Sequence, residues 1–178
     1  MLEKYRLPFR LALVALLFES LHLAYEMLHG GIQSHHLLNR ADWPAISNLF
    51  GLLVLPALGW RLGFRLGNPG KAAKHRHQTV VGLGFFAALI YGASLATAFA
   101  FDAAELSSML FLALPLLALL LPLQRAEFAL GFTAGMSLVF GAVLPCLIAL
   151  LVGLWSWVVS ALLRLLWRKL SVSESTRA

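Results

Sequence analysis

The residues FALGFTAGMSLVFGAVLPCLIALLVGLWSWVVSALL (128–163) form a stretch of 36 without Asp, Glu, Lys, Arg or His. As one α-helix this stretch would be about 54 Å long, whereas the hydrocarbon core of a bilayer is roughly 30 Å thick. We therefore predict two short spans joined by a tight turn near residues 141–145, with Gly131 and Gly135 as a small-residue packing face. One kinked span followed by an interfacial helix is the alternative.

The rest of the chain has the same apolar character. Its 178 residues are 60% hydrophobic and 12% charged, with a mean hydropathy of +0.82, and a soluble domain carries about twice that charge. We predict an all-α integral membrane protein, one transmembrane domain over residues 1–170 followed by a disordered polar tail at 171–178. The expected spans are 7–29, 44–62, 78–101, 106–123, 126–144 and 147–168.

The positions of the basic residues indicate the orientation. With six spans, 13 of the 14 Lys and Arg residues fall on the side of both termini and only Arg40 on the other side, whereas five spans would divide them nine to five. The positive-inside rule therefore favours a bundle of about six helices with both termini cytoplasmic. The compact loops are typical of a bacterial inner membrane. The net charge of +6 thus reflects topology and lipid contact, and no nucleic-acid partner is expected.

One segment, ESLHLAYEMLHGGIQSHHLLNRAD (19–42), departs from the membrane pattern. It contains four of the six histidines and three of the eight acidic residues. At 100° per residue, four ionisable residues fall within a stripe of about 80° on the first helix: Glu19, His22, Glu26 and His29. Because ionisable groups are costly at membrane depth and are usually functional there, we expect this stripe to face the bundle interior.

A metal-dependent hydrolase is the first functional hypothesis. His22 and His29, with His35 or His36 from the following loop, would bind a divalent ion such as zinc. Glu26 or Asp42 would then accept a proton from metal-bound water, and a lipid-like substrate would be hydrolysed at the non-cytoplasmic face. Glu-x-x-His occurs twice, but both copies lie on one helix. Since we expect no inward-facing acid from the other spans, a di-iron centre would require a dimer.

Two other functions remain open. In the first, Glu19 carries a proton or cation at mid-membrane and the other stripe residues relay it outward, as part of a homo-oligomer or larger membrane complex because six spans are few. In the second, the stripe is a structural polar network. Ser47 and Asn48, expected one turn into the second span, would hydrogen-bond to the first helix, and Asp42 would cap the helix that begins at Pro44.

Overall fold

The computed structural model describes residues 3–36, 42, 44–67 and 74–175. Within these residues the chain is almost entirely helical. Between the first two helices, the described residues form a two-stranded sheet and a 3₁₀ turn. The elements in chain order are α1 (Glu3–Leu28), β1 (Ser34–His36), β2 (Ala45–Ser47), the 3₁₀ turn (Asn48–Phe50), α2 (Gly51–Gly67), α3 (Lys74–Ala100), α4 (Ala104–Leu120), α5 (Ala126–Phe140) and α6 (Val143–Ser175).

Among the described residues, four helical segments are long and apolar enough to cross a membrane: Glu3–Leu28, Asn48–Gly67, His75–Ala100 and Val143–Leu165. The remaining two helices, α4 and α5, are also apolar but have 17 and 15 residues. Large hydrophobic side chains such as Leu17 and Leu21 of α1 are about 60% exposed, a surface that suits lipid better than water. The prediction of an all-α membrane protein is therefore confirmed.

The charge-free stretch is divided between α5 and α6. Gly141 ends α5 with φ of +65°, a left-handed conformation that favours glycine, and α6 begins two residues later. At its other end α6 continues to Ser175, so residues 171–175 are helical although their polar composition predicted a disordered tail. An established helix extends by a residue at little cost. Residues 176–178 lie outside the described residues.

The second helix begins later than the sequence indicated. Residues 45–47 are extended and pair antiparallel with β1, His35 opposite Ile46, and α2 starts only at Gly51. Gly30 and Gly31 have φ of +127° and +101°, a turn that allows the chain to form this hairpin. The prediction that Asp42 caps a helix starting at Pro44 is therefore wrong. The Ser47 hydroxyl instead accepts a hydrogen bond from the Leu49 N–H and caps the 3₁₀ turn.

Glycines set the closest helix contacts. Gly131 and Gly135 of α5 lie directly against the backbone of α3, so the predicted small-residue packing face is confirmed. In the α1–α2 pair, Gly59 packs on the Leu11 carbonyl and Gly63 on Pro8. A Cβ atom at either position would collide with backbone atoms. This close approach brings the first residues of α2 against the polar stripe of α1.

A buried polar cluster on the first helix

Three ionisable side chains of α1 are buried in the bundle. Glu19 is fully inaccessible, and His22 and Glu26 are each 7% exposed. They lie on one face because residues three and four apart are neighbours on a helix. The structure thus places the predicted stripe, apart from His29, in the interior and away from lipid.

His22 lies between the two carboxylates. Its Nδ1 is 3.7 Å from Glu19 Oε2, and its Nε2 is 3.5 Å from Glu26 Oε1. Both distances are slightly longer than a hydrogen bond. From Glu19 to Glu26 the three side chains follow α1 for about 10 Å, from the middle of the helix toward its carboxyl end.

Glu26 connects α1 to the hairpin. Its Oε1 accepts a hydrogen bond of 2.5 Å from Asn48 Nδ2, and its Oε2 accepts one of 3.2 Å from the Gln33 N–H. The Asn48 N–H in turn donates to the Gln33 carbonyl over 3.0 Å. Asn48 is itself buried and packs against Gly141, where no room is left for a Cβ atom. The hairpin is therefore fixed over the carboxyl end of α1.

Glu19 lies deeper and is packed differently. Its carboxylate rests on Gly51 at the start of α2, so closely that a Cβ atom there would overlap it. Neither carboxylate oxygen, nor His22 Nδ1, has a hydrogen-bond partner within the described residues. Burying a carboxylate is costly unless it is paired or takes up a proton. Glu19 is therefore a buried group with unused capacity to bind a proton or another donor.

His35 of β1 lies over the same end of α1. Its Nε2 is buried and, among the described residues, has no hydrogen-bond partner, while its ring is 6.4 Å from the ring of Phe140. Burial lowers the pKa of His35 below its usual 6.5, against an opposing effect of the Glu26 carboxylate. The neutral imidazole is the favoured form, and a neutral imidazole can accept a proton or bind a metal ion.

The other predicted site residues lie apart from the cluster. His29 follows the last residue of α1 and is exposed, with its Nδ1 2.8 Å from the Tyr25 carbonyl oxygen and its ring stacked on Tyr25. His36 and Asp42 are also exposed. Ser47 is used in the cap of the 3₁₀ turn. Asn48 hydrogen-bonds to the first helix as predicted, although from the 3₁₀ turn that precedes α2.

Within residues 3–36, 42, 44–67 and 74–175, no group of three or more His, Cys, Asp or Glu side chains is arranged to hold a metal ion. No family model matches the chain, and neither does any curated protein or solved structure. The geometry of the cluster is therefore the basis for any functional assignment.

Sequence reasoning missed three kinds of contributor. The Gln33 N–H is a backbone donor to Glu26. Gly51 and Gly141 have no side chain and so leave room for Glu19 and Asn48. The expectation that the other spans supply no inward acid is wrong, because Glu127 of α5 is buried and its Oε2 is 2.7 Å from Arg65 Nε of α2. Its position one residue before the charge-free stretch was the available signal.

Proposed function

We propose that the protein is a membrane component that transfers protons, or exchanges a proton for a cation, through Glu19, His22 and Glu26. The observation that carries this proposal is the placement of one buried histidine between two buried carboxylates, at 3.7 and 3.5 Å. An imidazole suits such a relay because its two nitrogens can accept a proton on one side and donate on the other near neutral pH.

The transfer has two steps. A protonated Glu26 gives its proton to His22 Nε2 and becomes a carboxylate. The imidazolium then gives the proton on Nδ1 to Glu19, which becomes the neutral acid. Each step requires the two atoms to approach by roughly half an ångström to reach hydrogen-bond distance. The Glu19 oxygens have no partner within the described residues, which leaves them able to receive the proton.

A relay on one helix covers only part of the bilayer. We propose that the chain works as a homo-oligomer or within a larger membrane complex that completes the pathway. For the chain itself we propose six spans with both termini cytoplasmic, in a bacterial inner membrane. The thirteen-to-one division of basic residues supports that orientation, and α4 and α5 would be the two additional, short spans.

His35 favours a second candidate, a zinc-dependent hydrolase of a lipid-like substrate at the non-cytoplasmic face. Its Nε2 is buried without a partner among the described residues, and it lies in the hairpin that Glu26 holds over the carboxyl end of α1. His22, His29 and His35 would be the ligands, and they would have to move together, because the described residues contain no ready-made metal-binding group of three such side chains. Bound zinc would then supply a hydroxide near neutral pH.

Proton flux into liposomes with an imposed pH gradient tests the relay. We expect Glu19→Gln to abolish the flux, because an amide cannot take up and release the proton. Glu105→Gln is the matched control, since Glu105 is exposed in the first turn of α4, and should retain the flux. Equal flux through both variants would exclude the relay.

Metal analysis of the purified protein tests the second candidate. Stoichiometric zinc that is lost in both His22→Gln and His35→Gln would favour the hydrolase. In that case the Glu19→Gln variant should still retain zinc, because Glu19 is not among the proposed ligands. A chain without bound zinc after purification and zinc addition would remove this candidate.

A further inference from the structure

A second polar site lies at the opposite end of the α1–α2 pair from the Glu19–His22–Glu26 cluster. A cavity of about 280 Å³ is lined there by Arg61, Arg65, Gln124, Arg125 and Ala126. The first two arginines are one turn apart on α2 and therefore share a face. The other three residues belong to the end of the α4–α5 loop and the first position of α5. Three arginines thus line one space.

The cavity offers hydrogen-bond donors and positive charge. Within the described residues neither Arg61 nor Arg125 forms an ion pair, and the pair between Arg65 and Glu127 uses Nε of the guanidinium. Gln124 Oε1 accepts a 2.8 Å hydrogen bond from the Ser156 hydroxyl, so its amide nitrogen remains to donate. The amino end of α5 has no side-chain cap and adds a partial positive charge. This chemistry suits a phosphate group, which arginine binds with two parallel hydrogen bonds.

An apolar cavity adjoins the arginine cavity. It measures about 320 Å³, shares Arg61 and Gln124 with the first cavity, and continues between α5 and α6. Apolar or small residues make up the rest of its lining: Leu123, Ala129, Ala149, Leu150, Gly153, Leu154 and Trp157. A cationic headgroup pocket that leads into an apolar groove on a membrane helix matches a molecule with a phosphate at one end and an acyl chain at the other.

We propose that these two cavities bind one anionic phospholipid, with its phosphate among Arg61, Arg65 and Arg125 and an acyl chain against α6. This site is independent of the proton relay, since it shares no residue with the cluster on α1. The bound lipid would contact α2, α5 and α6 at the depth of the lipid headgroups. A soluble phosphate compound would leave the apolar cavity unfilled, whereas a phospholipid would fill both cavities.

Native mass spectrometry of the full-length protein, released from a neutral detergent, tests the proposal. The probes are phosphatidic acid, phosphatidylcholine with the same acyl chains, and glycerol 3-phosphate. We expect phosphatidic acid to bind more tightly than phosphatidylcholine. Because hydrogen bonds to charged groups are strong, the double variant Arg61→Gln/Arg125→Gln should weaken that binding by about tenfold or more. Glycerol 3-phosphate should not bind at the same concentrations.

Two variants serve as controls. Arg10→Gln removes an exposed arginine from α1 that does not line the cavity, and it should bind phosphatidic acid as the unmodified protein does. Arg61→Lys/Arg125→Lys keeps the charge and covers the case in which the glutamine variant does not fold, and its binding should be intermediate. Equal binding of the two lipids, or an equal loss in Arg10→Gln, would overturn the proposal. Equal binding of glycerol 3-phosphate would assign the cavity to a soluble anion instead.

Discussion

Gly51 determines how closely α2 can approach the Glu19 carboxylate. Because a Cβ atom there would overlap Glu19, we expect Gly51→Ala to destabilise the protein by about 1–3 kcal/mol, the usual cost of overpacking a buried site. Thermal unfolding in detergent would measure it. Gly82→Ala in α3 is the matched control because nothing lies within 4 Å of its Cβ position. A loss of stability that is equal in both variants would contradict the steric explanation.

The positions of some residues of the cluster could be predicted from the sequence, and those of others could not. The burial of Glu19, His22 and Glu26 could be predicted because helix geometry fixes which residues share a face. His29 could not be placed, since α1 ends one residue before it and the helical angle then no longer applies. Gly51 and the Gln33 N–H were also beyond prediction. A missing side chain and a backbone donor leave no chemical signal in the sequence.

At the scale of secondary structure, the hairpin of β1 and β2 could not be predicted. Each strand has three residues, too few for an alternating pattern to be recognised, and Pro44 suggested a helix start instead. The division of the charge-free stretch was predictable because bilayer thickness limits the length of a span. The limit that bilayer thickness sets on helix length thus predicted structure that local residue preferences did not.

The docking of the hairpin should depend on pH through His35. Its pKa is lowered by burial, so the undocked hairpin binds more protons as the pH falls through 6.5, and docking weakens. We expect the hydrogen-exchange protection factors of the Gln33 and Asn48 amides to decrease below about pH 6.5. Glu26 and His22 face the same space as His35. A variant that changes only His35 is therefore needed to assign the pH dependence.

That variant is His35→Gln, which should remove most of the pH dependence. His36→Gln is its control, since His36 is exposed in the same strand and should leave the dependence unchanged. If protection still fell with pH in His35→Gln, the titrating group would be Glu26 or His22 and the assignment to His35 would be wrong.

At the scale of the whole molecule, the proposed six spans would place both termini on one side of the membrane. A reporter that is active only outside the cytoplasm should be active when fused after residue 103, between α3 and α4. The same reporter should be inactive at the carboxyl terminus. A fluorescent protein that folds only in the cytoplasm should give the opposite pattern. Activity of the first reporter at the carboxyl terminus would indicate five spans and overturn the charge-based orientation.

The two hydrogen bonds that Glu26 accepts from Asn48 and Gln33 tie the β1–β2 hairpin to a carboxylate that the proposed relay also uses. Because linkage is reciprocal, a ligand that binds this carboxylate would change how firmly the hairpin is held, and release of the hairpin would change the binding of that ligand by the same free energy. In the proposed relay, opening of the hairpin and occupancy of Glu26 would then be one coupled equilibrium. Such coupling would let a transport protein take up its substrate without a permanently open pathway.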